Sequence, residues 1–244
     1  MFDLMSFGLR DMTECAATLR KLGAGSGSME DVASHVVRYL YDNLGDRATG
    51  ERACVLVRFF KTCDYERLAP DLQQFACGIL GGAPESPKMK CLTLLATVGV
   101  KPEWNSRTNS VGHQAIPLPS ERLVAQVPMI SNLIRQFGLE LKTVLRPAPE
   151  LLVDVSQKNY NVFHVPEAVG SPLVPAQQEF VVPFGVRSVL GFGGMLPTMN
   201  LFAVILFSRV HIPRETADLF KTLSLSVRVS VLPFAGGELF GESS

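Results

Sequence analysis

The chain has 244 residues, 47% of them apolar and 19% charged, with 23 Lys+Arg balanced by 23 Asp+Glu. That composition supplies a large core and excludes an intrinsically disordered chain. It shows no basic excess of the kind a nucleic-acid binder carries, and net neutrality removes one brake on self-association.

Residues Phe7–Leu22 place Leu9, Met12, Ala16 and Leu19 at helical spacing. Gly23-Ala24-Gly25-Ser26-Gly27 then reads as a flexible joint. Ser28 followed by Asp31 is a capping box with the shorter carboxylate. It opens a second helix to about Leu44, with Val32, Val36, Tyr39 and Leu40 on one face, and Gly45 ends it. Ala53–Lys61 is β-branched and aromatic between turn residues, hence a strand. Asp64–Leu80 predicts a helix broken near Pro70, and Cys91–Val100 a second strand. Lys101–Pro119, rich in Asn, Ser and Pro, reads as a loop. From Ser120 the positions Leu123, Val124, Val127, Ile130, Leu133, Ile134 and Phe137 make an amphipathic helix, which Pro128 kinks or splits.

Leu139–Pro149 has no clear period, and Leu151–Val155 is a short apolar run. Tyr160–Val165 predicts a strand, and Pro166, Pro172 and Pro175 an extended loop. Glu179–Phe184, Val186–Phe192 and Asn200–Ser208 read as three further strands. Gly191-Phe192-Gly193-Gly194 between two of them reads as a hairpin turn, since it lacks the Lys-Ser/Thr of a phosphate loop and the strand-to-helix context of a dinucleotide fingerprint. Arg214–Val231 is a final amphipathic helix with an apolar stripe wide enough for two burial partners, and Pro233 stops it. Gly236-Gly237-Glu238 opens a tail read as unstructured. Three units follow: an N-terminal helix and joint over 1–27, one domain over 28–232 with extra material at about 100–175, and a flexible tail over 233–244.

Runs of consecutive strands cannot be βαβ units, so the expected fold is an α+β sandwich. Its mainly antiparallel sheet of about six strands carries the terminal helices on one face. That element order resembles the GAF family of sensor domains. The likeness is carried most by Phe180-Val181-Val182-Pro183-Phe184, by Arg187-Ser188-Val189-Leu190-Gly191, and by Leu201–Ser208 followed by Glu215, Ala217, Leu219 and Phe220. The resemblance spans 28–232 and implies a ligand- or cofactor-sensing input domain, often dimeric, that drives an output domain or a partner kinase or cyclase. The spaced Asn-Lys-Phe-Asp-Glu signature of the cyclic-nucleotide subtype is not found, and no cysteine has the neighbouring His of the bilin subtype.

The cysteines Cys15, Cys54, Cys63, Cys77 and Cys91 are odd in number and form no CxxC, as expected of free core thiols in a reducing compartment. The start Met1-Phe2-Asp3-Leu4 lacks a basic region, and the apolar run Leu201–Phe207 is too short to span a bilayer. A cytoplasmic protein without membrane or nucleic-acid partners is expected. No HxxxH, HExxH or Gly-x-Ser-x-Gly appears, so neither a zinc site nor a hydrolase is expected.

The candidate ligand-binding residues are Arg58, Trp104, Phe163, His164, Arg187 and Phe192. A strand arginine facing a cavity binds an anion through bidentate contacts; one facing outward is simply solvated. Trp104 in a polar loop serves either to cover a ligand or to anchor the loop. His164, amid apolar residues, is the candidate haem ligand, ranked below a structural histidine. The loop residue His113 ranks lower still. The cofactor is otherwise unknown. Two alternatives stand beside the sensor reading: a ligand-free dimerisation or protein-interaction domain of the same fold, and, ranked last, a thiol enzyme that would need an exposed reactive cysteine.

Overall fold

The computed structural model describes residues 1–147, 160–237 and 239–241; the run Leu151–Val155 lies outside them. Two-residue strands β1 (Phe2–Asp3) and β2 (Leu44–Gly45) pair in parallel beside the main sheet. The main sheet contains β3 (Cys54–Asp64), β4 (Lys90–Gly99), β5 (Ala115–Leu118), β6 (Phe163–Val165), β7 (Ser188–Met195) and β8 (Leu201–Ser208). Its order is β5-β4-β3-β8-β7-β6, and every neighbouring pair is antiparallel. This is the α+β sandwich expected from the run of consecutive strands.

Both faces of the sheet are covered, which is why its central strands read as near-continuous apolar runs. Successive side chains alternate between the faces. Val57 and Phe59 of β3 enter one core, Leu56 and Phe60 the other. Against β4 the register shifts between Phe59 and Phe60, the extra residue, Leu95, lying in β4.

The first core lies under the terminal helices α1 (Leu9–Leu19), α2 (Met29–Asn43) and, after the strands, α7 (Arg214–Val231). The capping box read at the start of α2 is formed: Ser28 Oγ accepts from Asp31 N at 3.1 Å, and Asp31 Oδ2 accepts from Ser28 N at 3.0 Å. Phe220 of α7 is fully buried, its ring 5.3 Å from those of both Phe7 and Phe192.

The second core lies on the opposite face, under shorter pieces: α4 (Glu121–Ala125), α5 (Pro128–Gln136) and α6 (Leu141–Leu145). Pro128 divides the expected long helix and opens α5, where its missing N–H costs nothing. Pro70 likewise opens α3 (Pro70–Leu80) rather than breaking a helix begun at Asp64; a 3₁₀ turn over Tyr65–Arg67 precedes it. A third, small cluster packs α3 against Cys63, Met89, Cys91 and Ala115.

Three expectations need correction. The segment read as a loop to Pro119 contains strand β5, whose Pro117 is tolerated because β5 is an edge strand. Glu179–Phe184 is no strand. Ala176, at φ 58°, starts a π-helical turn over Gln177–Val181, and Phe180, Val181, Val182 and Phe184 donate their N–H groups within 176–184. Those amides are therefore satisfied locally, and the sheet edge is closed instead by β6. Gly191, Gly193 and Gly194 lie inside β7; the turn is at Leu196–Asn200, with Met199 at φ 59°. Gly194 is needed there because Tyr160 packs on it: a Cβ would fall 2.4 Å from the Tyr160 ring.

Of the expected tail, Ala235 and Gly236 accept hydrogen bonds from Lys61 Nζ and Arg67 Nη2. Leu239 accepts from Glu30 N at 3.0 Å, and Phe240 lies 3.9 Å beneath the Arg107 guanidinium.

Candidate functional site

A cavity of about 470 Å³ opens on the sheet face away from the terminal helices. Its floor is a patch of three strands. Leu56, Arg58 and Phe60 of β3 stand in register with Phe207, Ile205 and Ala203 of β8, and Leu92 of β4 adjoins them. Met129, Ile130, Leu133 and Ile134 of α5 form one wall. Trp104, from a 3₁₀ turn over Pro102–Asn105, forms another with Phe180 of the π-helical turn.

Trp104 anchors its loop and also lines the cavity. Its ring lies 4.8 Å from Phe184 and 5.5 Å from Phe180, and Phe180 meets Phe207 at 5.1 Å, so the loop is tied to β8 through aromatic contacts. The same ring lines the cavity. Gly99 at the end of β4 makes room for it, since a Cβ there would fall 2.8 Å from Trp104 Cε3. On the far side of the π-helical turn, Gln177 holds the preceding loop. Its amide nitrogen donates to the carbonyls of Ala168, Ser171 and Val174, and its oxygen accepts from Gly170 N.

Arg58 is the single Lys or Arg among the described residues lining this space. No carboxylate pairs with it among the described residues. Its one hydrogen bond there is a long one, Nη2 to Ser110 Oγ at 3.5 Å, and the buried Nε bonds to no described protein group. Burial lowers its pKa to about 10, which leaves it cationic at neutral pH. Thr97, directly across on β4, has a buried hydroxyl that also bonds to no described protein group. Glu103, at the rim, faces Lys101 Nζ at 3.6 Å. His113 places Nδ1 2.8 Å from Val111 O. Burial, and then the Arg58 charge, hold its imidazole below the usual value against the opposing pull of the Val111 bond.

The sequence-derived candidates divide. Arg58 and Trp104 line the cavity; Phe163, His164, Arg187 and Phe192 do not. Phe163 is fully buried in the cavity-side core, packed on Gly191. Phe192 is fully buried on the helix side against Phe220. His164 alternates away from Phe163, and its Nε2 lies 2.9 Å from Ile212 O. Arg187, exposed just before β7, lines a separate shallow cleft with Arg52 and Arg209. Alternation within β6 and β7 was readable, but which face is hollow was not. Ser110 and Phe180, which line the cavity, were missed, as was Thr97 beside Arg58 on the sheet; only the excess of apolar positions from Val127 to Phe137 hinted at a wall there.

Cys15, Cys54, Cys63 and Cys91 are buried and Cys77 is partly exposed. Burial pushes the Cys15, Cys54 and Cys91 thiols up to about 12, away from the thiolate that a redox or nucleophilic role requires. Cys77 Sγ lies 3.1 Å from Tyr65 Oη. Among the described residues no cluster of His, Cys, Asp and Glu could hold a metal ion, and no helix is long and apolar enough to cross a membrane.

The chain matches no family model and no curated protein sequence. Among solved structures it is similar to the GAF domain of a phosphoenolpyruvate-protein phosphotransferase from Coxiella burnetii, at 12% identity and TM-score 0.44 over 92% of this chain and 93% of that one. The corresponding Acinetobacter domain gives 14% and 0.42 over 93% and 97%. The phycocyanobilin-bound GAF domain of a cyanobacterial phytochrome gives 10% and 0.42 over 91% and 94%.

Proposed function

We propose that this chain is a ligand-sensing input domain whose ligand occupies the cavity between β3, β8 and α5. The observation that carries this reading is the cavity itself. At about 470 Å³ it falls in the range of small-molecule sites, and it is apolar apart from a few convergent polar groups. A ligand-free interaction domain has no use for such a space, because the void forfeits packing on every wall. A thiol enzyme is disfavoured by the burial of four of the five cysteines. Haem ligation through His164 is disfavoured because that ring faces the opposite side of the sheet, toward Ile212 O.

Consecutive residues of β3 connect the two sides. Arg58 contacts the cavity, while Phe59 stacks on Phe202 in the helix-side core, ring centroids 5.9 Å apart. A ligand that shifts β3 therefore repacks the surface on which α2 and α7 rest. A signal passes only if the ligand binds one helix arrangement better than another. The outer face of α7 carries Leu225 and Val229, with Leu232 one turn further on, all partly exposed. A second copy packing there would form the dimer that reads out the shift.

A thermal-shift screen of small metabolites, with native mass spectrometry of the hits, tests the reading. At least one compound should raise the melting temperature of the unsubstituted protein and fail to do so in Ala203→Leu, which fills the cavity floor. Hits that stabilise both proteins equally would bind elsewhere and sink the assignment.

A further inference from the structure

Resting on the cavity assignment above, we infer that the ligand is an amphipathic monocarboxylate, its carboxylate held by Arg58 and its apolar body lying between the β-sheet floor and α5. Four observations converge on it. First, the walls are hydrocarbon and aromatic from Leu56, Ile205 and Phe207 on the floor to Ile130 and Leu133 opposite. Such walls favour an apolar body, which leaves water to lie against them. Second, at about 30 Å³ for each water-sized group, the space holds roughly 15 such groups, enough for a chain of moderate length.

Third, the cation in this wall has no carboxylate partner among the described residues. A guanidinium kept largely from water without a partner is costly. Among the described residues Arg58 bonds only to Ser110 Oγ, and at 3.5 Å, and its neighbours in register are uncharged: Thr97 on one side and Ile205 on the other. A carboxylate accepts two parallel N–H bonds from the planar fork and satisfies the orphaned Nε as one of them. Fourth, the Thr97 hydroxyl beside it on the same sheet face is a second buried group without a described partner, and a hydroxyl can donate to the same anion.

The charge count selects a monoanion. Arg58 is the one Lys or Arg among the described lining residues, Glu103 repels at the rim, and burial and the Arg58 charge favour the neutral form of His113. A phosphate dianion would leave a buried charge uncompensated. A neutral alcohol would leave Arg58 unmatched, and an amine would add a second cation next to it.

The test uses the full chain and its single tryptophan, Trp104, whose emission reports on the cavity it lines. Sodium decanoate, 1-decanol and decylamine are titrated in turn. Decanoate is expected to bind at least tenfold more tightly than decanol, with decylamine weakest. That ranking on the unsubstituted protein needs no variant to fold. Arg58→Met should then cut decanoate affinity at least tenfold and leave decanol within about twofold, a difference near 1.4 kcal/mol. Arg58→Lys, which keeps the charge without the fork, should fall between. Equal binding of decanoate and decanol overturns the carboxylate inference and leaves the cavity assignment standing, provided Ala203→Leu abolishes both. An unchanged decanoate affinity in Arg58→Met overturns it too. Should none of the three perturb Trp104, the inference falls together with the assignment on which it rests.

Discussion

The two faces of this sheet are built from the same strands and have opposite characters. On the helix side, Phe59, Phe192 and Phe202 meet Phe220 and Leu223 with no exposure above 1%. The 18-residue α7 and the 15-residue α2 cover them in long, regular contact. On the other side, the cover is helices of five to nine residues with intervening turns. Such pieces cannot present a continuous ridge to the sheet, and a cavity of about 470 Å³ is left over Arg58. One face is therefore packed throughout, while the other carries its own core but leaves space over Arg58.

The contrast can be broken most directly by adding volume. Ala217 of α7 is fully buried in the packed core, and Ala203 of β8 sits in the cavity floor. Ala217→Leu should cost about 1–3 kcal/mol because nothing there can give way. Ala203→Leu should leave stability near that of the unsubstituted protein, since its extra atoms enter existing space. Urea midpoints at constant m-value measure both. Equal losses would mean that the cavity closes up in solution, and the distinction between the faces would go with it.

Removing the charge gives a smaller effect, of opposite sign. Arg58→Met replaces a largely buried guanidinium with an unbranched apolar side chain, and the protein should become more stable by about 1 kcal/mol or more. A functional residue that costs stability is what a binding site predicts. A chemical-denaturation curve decides; a clear loss of stability would show that Arg58 holds the fold rather than a ligand.

How much of this was legible in the sequence follows the same division. The helix side was readable because long periodic segments declare their faces. The apolar positions of α7 and the Ser28–Asp31 cap of α2 are set by local spacing. The cavity side was readable only in part. Arg58 in an apolar strand and Trp104 in a polar loop stood out by chemistry. Phe163, His164, Arg187 and Phe192 stood out equally, and the fold scatters them over a core, the far face, a surface cleft and the helix layer. The apolar run Phe180–Phe184 has the composition of a strand, but its amides are satisfied within a turn that Ala176 initiates from the left-handed region. No period distinguishes those outcomes, because tertiary closure of the edge by β6 decides between them.

The finest comparison is between two histidines, one on each side. His113 lies near Arg58 at the cavity; His164 contacts Ile212 O on the other face. Burial lowers both from the ordinary value, so each favours the neutral ring in the folded state. A histidine depressed on folding contributes stability above its unfolded value near 6.5. That contribution is lost as pH falls through this value and on through the folded one. Stability should thus decline modestly in mild acid, with His113 and His164 both contributing. The two differ in their second cause. For His113 it is the positive charge of Arg58; for His164 it is the bond to Ile212 O, which opposes the burial, with Arg214 and His211 lowering and Asp218 raising more weakly. Apart from Arg58, the charged group lining the cavity with His113 among the described residues is Glu103, held toward Lys101 at the rim. In Arg58→Met, the His113 imidazole should therefore titrate at higher pH, and His164 should stay where it is. A bound carboxylate should move His113 in the same direction without any substitution. Proton NMR titration of the ring resonances reads both. Equal shifts at the two histidines would point to a general loosening of the sheet, whereas a shift confined to His113 ties the acid response to the charge in the cavity.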